Sequence, residues 1–120
     1  MAIKKRSTGA YDGVAARAVG LGAAYSKVLA VDVKASSDTT VSVAITDRDG
    51  EVIATIASAD YTTRTRFFLV PVEARVFDTA GEVAAADSAV SPAVVARSPL
   101  TITPAGVGAG TVTVDVFVEV

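Results

Sequence analysis

The sequence predicts an all-β protein: a single antiparallel β-sandwich, jelly-roll or immunoglobulin-like, preceded by an extended N-terminal arm. Segments of alternating valine are the first reason, because valine is stiff at χ1 and suits a pleated, half-buried surface. Turn residues recur at intervals of about 8–12 positions, which is typical of sandwiches and small barrels. Leucine, which a helical bundle would need, occurs only at Leu21, Leu29, Leu69 and Leu100.

The period-two pattern is first seen in the segments Lys27–Lys34, Thr39–Thr46 and Glu51–Ile56. Apolar side chains alternate with polar ones there, as expected for strands with one buried face. Asp47–Gly50 is a hairpin signal, because glycine accepts the positive φ that such turns require. We expect three consecutive antiparallel strands over these segments.

Further strands are predicted over Thr62–Val70, Val72–Phe77, Val90–Ala96, Leu100–Thr103 and Thr111–Val120. The last segment has the cleanest alternation, with one face formed by Val112, Val114, Val116, Val118 and Val120. Phe117 lies on the opposite, polar face. We therefore expect Phe117 to be exposed or covered by a partner, or else covered by the N-terminal segment of the same chain.

Residues 1–24 are predicted to be the arm, and residues 25–120 the sandwich domain. Glycines interrupt the first segment at Gly9, Gly13, Gly20 and Gly22. The stretch Gly13–Gly20 is too short for an assured helix, so it is interpreted as a short strand or as one to two helical turns.

The chain contains neither cysteine nor histidine. Disulfides, thiol catalysis, histidine general-base catalysis and zinc sites of the Cys/His kind are therefore excluded. No serine has an evident base partner, so we expect no enzyme, no cofactor and no catalytic residues. The N-terminus lacks the apolar stretch of a signal peptide, and no segment is apolar for long enough to span a membrane.

Charge is distributed unevenly along the chain. Residues 1–34 have a net charge of +4 and the rest a net charge of −6, within a total of −2. This asymmetry favours head-to-tail contact between copies, or it is an accident of a short chain. Hydrophobic residues make up 51% of the sequence, so either partners cover part of the surface or alanines decorate it.

Asp47, Asp49 and Glu51 form an acidic cluster that could bind Ca²⁺ through hard oxygen ligands. The EF-hand spacing would need a bidentate glutamate where this chain has Ser58. Turns collect aspartate and glycine for backbone reasons, so a plain hairpin turn is the favoured interpretation. No metal site is predicted.

Arg64, Arg66, Tyr61 and Arg75 could form a basic aromatic surface for nucleic acid. The acidic body opposes binding to a polyanion, so a solvated face or a subunit contact is favoured and no nucleic-acid partner is predicted. Lys4–Arg6 is a further basic cluster without specificity of its own.

The basic start, the Ala/Val/Thr/Gly-rich body, Arg97–Thr103 (RSPLTIT) and Gly110–Val120 (GTVTVDVFVEV) together resemble small virion proteins of tailed bacteriophages. The resemblance implies a capsid decoration (cement) or minor capsid protein that binds the major capsid protein. It also implies a homo-oligomer such as a trimer, assembled in the host cytoplasm and located in the virion. The alternatives are a carbohydrate- or cell-surface-binding sandwich module, and a tail or head–tail connector subunit. A binding module would usually present Trp or Tyr platforms, whereas this chain has no Trp and three Tyr.

Overall fold

The computed structural model describes residues 2–36, 40–69, 76–77, 83–84 and 94–119. In these ranges the regular structure is entirely β, and no helix long and apolar enough to cross a membrane occurs there. The strands are β1 (Ile3–Ser7), β2 (Arg17–Val19), β3 (Tyr25–Ala35), β4 (Thr40–Thr46), β5 (Val52–Asp60), β6 (Thr65–Phe68), β7 (Val76–Phe77), β8 (Val83–Ala84), β9 (Val94–Arg97), β10 (Leu100–Ala105) and β11 (Val112–Glu119).

The strands form two main antiparallel sheets that pack against each other. Sheet A has five strands in the order β1-β11-β3-β6, with β9 also paired to β3, and sheet B has four in the order β2-β10-β4-β5. Strands β7 and β8 pair only with each other among the described residues. The predicted all-β class and the antiparallel pairing are confirmed, but neither the jelly-roll nor the immunoglobulin-like type is.

The core lies between the sheets and is built largely from valine. On β11 the valines at 112, 114, 116 and 118 are all 0% exposed, which confirms the predicted buried face; Val120 lies outside the described residues. Val41, Val43 and Ile45 of β4 are buried in the same cluster from sheet B. Each such side chain contributes about 1.5–3 kcal/mol relative to an exposed one, so the alternation itself drives the packing of the sheets.

The expectation of three consecutive paired strands is wrong at one connection. Strands β4 and β5 pair as a hairpin through Asp47–Gly50, but β3 belongs to sheet A and β4 to sheet B. The apolar faces of β3 and β4 thus meet across the core instead of lying side by side. Two short strands bury more apolar area in this way, because each then faces the opposite sheet.

The extended arm over residues 1–24 is not confirmed. Strand β1 pairs with β11, and β2 pairs with β10, so the segment contributes an edge strand to each sheet. Of the two interpretations of Gly13–Gly20, the short strand is present. Tyr11 is buried and forms a backbone bridge with Val112, while the Arg17 guanidinium lies 4.1 Å from the centroid of its ring. Burial raises the pKa of Tyr11 above its ordinary value.

Strands β6 and β9 lie along the same side of β3. Strand β6 pairs with the stretch from Ala30 to Val33, and β9 pairs with the stretch from Tyr25 to Val28, while β11 occupies the other side. Leu69 also donates its N–H to Leu29 O, at 3.1 Å. Strand β6 covers only part of the predicted segment Thr62–Val70, whose last residue lies outside the described residues, as do residues 90–93 of the predicted segment Val90–Ala96.

Candidate functional site

The candidate site lies on the face of sheet A that points away from sheet B, called the outer face here. Along β3, Val31 and Val33 point into the core, so Asp32 points to the outer face. Asp115 of β11 lies directly opposite Asp32 in the register. Both aspartates are nonetheless buried, with exposures of 1% and 2%. Two carboxylates side by side repel each other, so this pair needs compensating positive charge.

Arg64 and Arg66 supply that charge. Arg66 binds Asp32 through two hydrogen bonds, from Nε to Oδ1 at 2.7 Å and from Nη2 to Oδ2 at 3.0 Å. Arg64 donates from Nη2 to Asp115 Oδ2, and its Nη1 lies 3.6 Å from Asp32 Oδ2. Hydrogen bonding to Asp32, and the attraction of its charge, raise the pKa of Arg66. We call these four residues the Arg–Asp cluster; its formal charges cancel.

The cluster decides between the interpretations of Arg64 and Arg66. Both arginines lie on the outer face, as alternation predicts, but their charges are already paired with buried aspartates. Tyr61, the proposed aromatic member, is 4% exposed; its hydroxyl donates to Ala57 O at 2.5 Å and its ring packs edge-on against Phe67 at 5.9 Å. Arg75 lies outside the described residues. Among the described residues, Tyr61 therefore does not join Arg64 and Arg66 in an exposed basic aromatic surface, the candidate that was considered but not favoured.

Exposed apolar side chains lie beside the cluster on the same face. The register aligns Lys5, Phe117, Ala30 and Phe68 in one row across β1, β11, β3 and β6. Phe68 is 75% exposed. The neighbouring rows carry Val95, Tyr25 and Ile3, which are 58%, 61% and 59% exposed. We call Ile3, Tyr25, Phe68 and Val95 the apolar patch.

Phe117 connects the patch to the cluster. Its ring is partly exposed, and the Arg66 guanidinium lies over it, 4.7 Å from the ring centroid. A guanidinium on an aromatic face is held by the negative potential of the π system. Phe117 is therefore covered in part by Arg66 of its own chain, and Lys5 of the N-terminal segment lies directly opposite it in the register. Phe67 packs against the core, and the side chain of Phe77 lies outside the described residues.

The acidic turn at Asp47 is organised around the backbone. Oδ1 of Asp47 accepts from the N–H of Asp49 at 2.9 Å and of Glu51 at 3.1 Å. Gly50, with φ of +81°, adopts the left-handed conformation predicted for the turn. Asp49 pairs with Arg97 at 2.9 Å, and no group of three potential metal ligands occurs in the described ranges. This geometry is that of a structural turn, as the favoured interpretation predicted.

The basic residues of β1 do not all point to solvent. Lys4 and Lys5 are exposed, whereas Arg6 is partly buried. The Arg6 guanidinium lies against Gly22. Gly22 has a φ of +86°, a conformation that favours glycine. Arg6 of β1 thus lies against the segment that follows β2.

Sequence reasoning missed the two aspartates. The available signal was an aspartate flanked by valines on both sides in a strand, at Asp32 and again at Asp115. Aspartate is depleted in strands, so such a residue needs a partner. The partners Arg64 and Arg66 were recognised, but their pairing depends on which strands are neighbours.

No known protein family, no curated protein and no solved structure matches this chain. The function is therefore inferred from the side chains on the outer face of sheet A. It combines exposed aromatic and aliphatic side chains with an immobilised pair of arginines.

Proposed function

We propose that the protein is a non-enzymatic structural protein of a virion, a capsid decoration (cement) or minor capsid protein that binds the major capsid lattice. The observation that supports this is the apolar patch. Single exposed apolar residues are ordinary, but Tyr25, Phe68 and Val95 lie close together in the register on one face of sheet A, and such a group is typical of a surface that a partner covers. Ile3 lies on the same face beyond the Lys27–Glu119 pair. The protein would assemble in the host cytoplasm and reside in the virion.

The chemistry around the patch suits a protein partner. Protein interfaces are enriched in aromatic residues and arginine, and Arg64 and Arg66 each keep 48% of their side chain exposed. A guanidinium has five N–H donors, so hydrogen-bond capacity remains after the aspartates are bound. Because the aspartates hold both arginines in place, little side-chain entropy is lost when a partner binds.

The proposal includes a homo-oligomer, such as a trimer, and a β-sandwich of jelly-roll or immunoglobulin-like type. A carbohydrate- or cell-surface-binding module is less well supported, because Tyr11 and Tyr61 are buried and Tyr25 is the exposed tyrosine. A single exposed ring is a poor platform for a sugar, which usually stacks on more than one aromatic residue. A tail or head–tail connector role would be recognised by closed rings of the free protein that do not bind capsids.

The test is co-sedimentation with capsids of the phage that encodes the protein. Phe68→Ser removes the most exposed side chain of the patch, and we expect capsid occupancy at limiting protein to fall at least about tenfold, as for an interface hot spot. The matched control is Val14→Ser, because Val14 is 83% exposed but lies outside the patch. Deleting residues 2–12 would be a poor test, since it removes β1 and the core residue Tyr11.

Far-ultraviolet circular dichroism of both variants would establish that the strands are retained. Unchanged capsid occupancy with Phe68→Ser would show that the outer face of sheet A does not bind the capsid. Absence of wild-type binding to capsids, together with rings in solution or hits on a glycan array, would replace the proposal with one of its alternatives.

A further inference from the structure

The edges of the two sheets differ in how they are protected. An unpaired edge strand is a template for pairing with another chain, and proteins usually block it with charge, proline or shortness. Strand β1 has Lys4, Lys5 and Arg6 in its five residues, and β2 is only three residues long. On the opposite edge of sheet A, β6 is four residues long and carries Arg66.

Strand β5 is the exception among the described edges. It is nine residues long and contains no charged residue from Val52 to Ala59. Val52 is 67% exposed. Two bulges, where the register with β4 shifts, twist the strand and limit how far a partner could follow it. Between the two bulges the register is regular from Ala54 to Ile56. Acidic residues flank the uncharged stretch, with Glu51 before it and Asp60 at its end.

The basic strand and the uncharged strand lie on opposite flanks of the molecule. Strand β1 ends the order of sheet A, and β5 ends the order of sheet B. The β1 flank adjoins β2, because Arg17 Nη1 donates to Thr8 O at 3.0 Å. The β5 flank adjoins β6, through the Tyr61–Phe67 ring contact. A contact between these two flanks would therefore join the head of one copy to the tail of the next.

We propose that β1 of one copy pairs with the free edge of β5 of a second copy. Pairing of β5 with another β5 would bring Glu51 and Asp60 of the two copies together, and pairing of β1 with β1 would bring its three bases together. Like charges across strands are destabilising. The mixed pairing brings no like charges together and places the bases of β1 beside Glu51 or Asp60, at one end of β5. It also supplies backbone hydrogen bonds that neither edge makes within the described residues, so it is the self-complementary arrangement.

The contact joins two different surfaces of identical chains, so it is heterologous. Repetition of this contact from copy to copy closes a ring or extends a filament. This inference rests on the homo-oligomer of the proposed function and specifies the surfaces through which its copies bind each other. It does not depend on capsid docking, because the apolar patch is on the outer face of sheet A and β5 is in sheet B.

Sedimentation velocity and light scattering of the full chain test the pairing. Val52→Lys puts a charge on the β5 edge, and we expect it to raise the dissociation constant of self-association at least about tenfold. The matched control Val95→Lys introduces the same charge at a similarly exposed position in the apolar patch. It should leave self-association unchanged and lower capsid occupancy, so failure of one proposal is distinguishable from failure of the other.

Charge exchange identifies the partner strand. Lys4→Glu with Lys5→Glu should weaken association, and Glu51→Lys with Asp60→Lys should do the same. An equimolar mixture of the two doubly substituted chains should recover association, because each contact then joins a basic edge to an acidic edge, as it does in a chain carrying all four changes. Recovery in that fourfold variant supports β1–β5 pairing. A wild-type chain that stays monomeric up to about 1 mM overturns the proposal. An oligomer insensitive to the β1 changes overturns the assignment of β1.

Discussion

At the scale of single residues, the Arg–Asp cluster is the least usual feature of the protein. Asp32 and Asp115 face away from the core and are still almost fully buried. Their burial results from Arg64 and Arg66, whose long side chains extend over the strands and cover the carboxylates with their own methylene groups and guanidinium planes. A charged pair arranged in this way fixes the neighbours of β3, because only one order of strands brings all four residues together.

We therefore expect Asp32→Asn to destabilise the protein. The variant leaves Arg66 without its bidentate acceptor and replaces a buried carboxylate by an amide that cannot satisfy both guanidinium donors, a loss of about 1–3 kcal/mol in the free energy of unfolding. The control is Lys27→Gln, which removes the exposed Lys27–Glu119 pair at 4.0 Å and should change stability by at most about 0.5 kcal/mol. Urea denaturation of the two variants measures both values. Equal stabilities would show that the cluster contributes no more than a surface ion pair.

The predictability of single residues depends on how local their environment is. The burial of the β11 valines followed from alternation alone, because alternate residues of a strand necessarily face opposite sides. The burial of Asp115 did not, because Arg64 is 51 positions away in the chain and reaches it only after β6 has paired with β3. Arg66 over Phe117 is a contact of the same kind.

At the scale of elements, local pattern identified strands but not their partners. The alternation in β3, β4 and β5 was recognised, and the β4–β5 hairpin followed from Asp47–Gly50. The assignment of β3 and β4 to different sheets could not be foreseen, because alternation marks the buried face without saying whether the neighbouring strand lies beside it or opposite it. Strand β1 was missed, and β2 was only one of two interpretations of its segment, for a related reason. Both strands are short and near glycines, and they pair with β11 and β10 from the far end of the chain.

The β4–β5 turn offers a test at this scale. Asp47→Ala removes the acceptor of two backbone N–H groups, and also the oxygen that lies 3.4 Å from the N–H of Arg97. Because Asp47 is buried, little water could replace it as the acceptor for these donors. We therefore expect a loss of about 1–3 kcal/mol in the free energy of unfolding. Asp49→Ala, at a side chain that is 52% exposed, is the matched control and should cost less than about 1 kcal/mol. Thermal denaturation compares the two; a larger effect of Asp49→Ala would contradict the structural role of Asp47.

At the scale of the whole molecule, the structure shows where charged residues of the two parts of the sequence lie. The bases of the first residues lie along the β1 edge, while Glu51 and Asp60 lie at the ends of β5 on the opposite flank. The apolar patch occupies a third surface, the outer face of sheet A. The two proposed contacts, a polar one between strand edges of two copies and an apolar one with another protein, therefore use different surfaces and should respond differently to salt.

Self-association through the flanks should weaken as salt increases. One or two exposed ion pairs, each contributing about 0.3–1 kcal/mol, would be largely screened between about 0.05 M and 0.5 M salt. We therefore expect the dissociation constant to rise about twofold to thirtyfold over this range, because backbone pairing of β1 with β5 would remain while the attraction between bases and acids is lost. Capsid binding through Phe68 and Val95 buries apolar area and should change less over the same range, since salt screens charges and not apolar burial. Sedimentation velocity and capsid co-sedimentation at both salt concentrations give the comparison. Self-association that strengthens with salt would indicate an apolar contact between copies and would locate it on the outer face of sheet A instead of at the β1 and β5 edges.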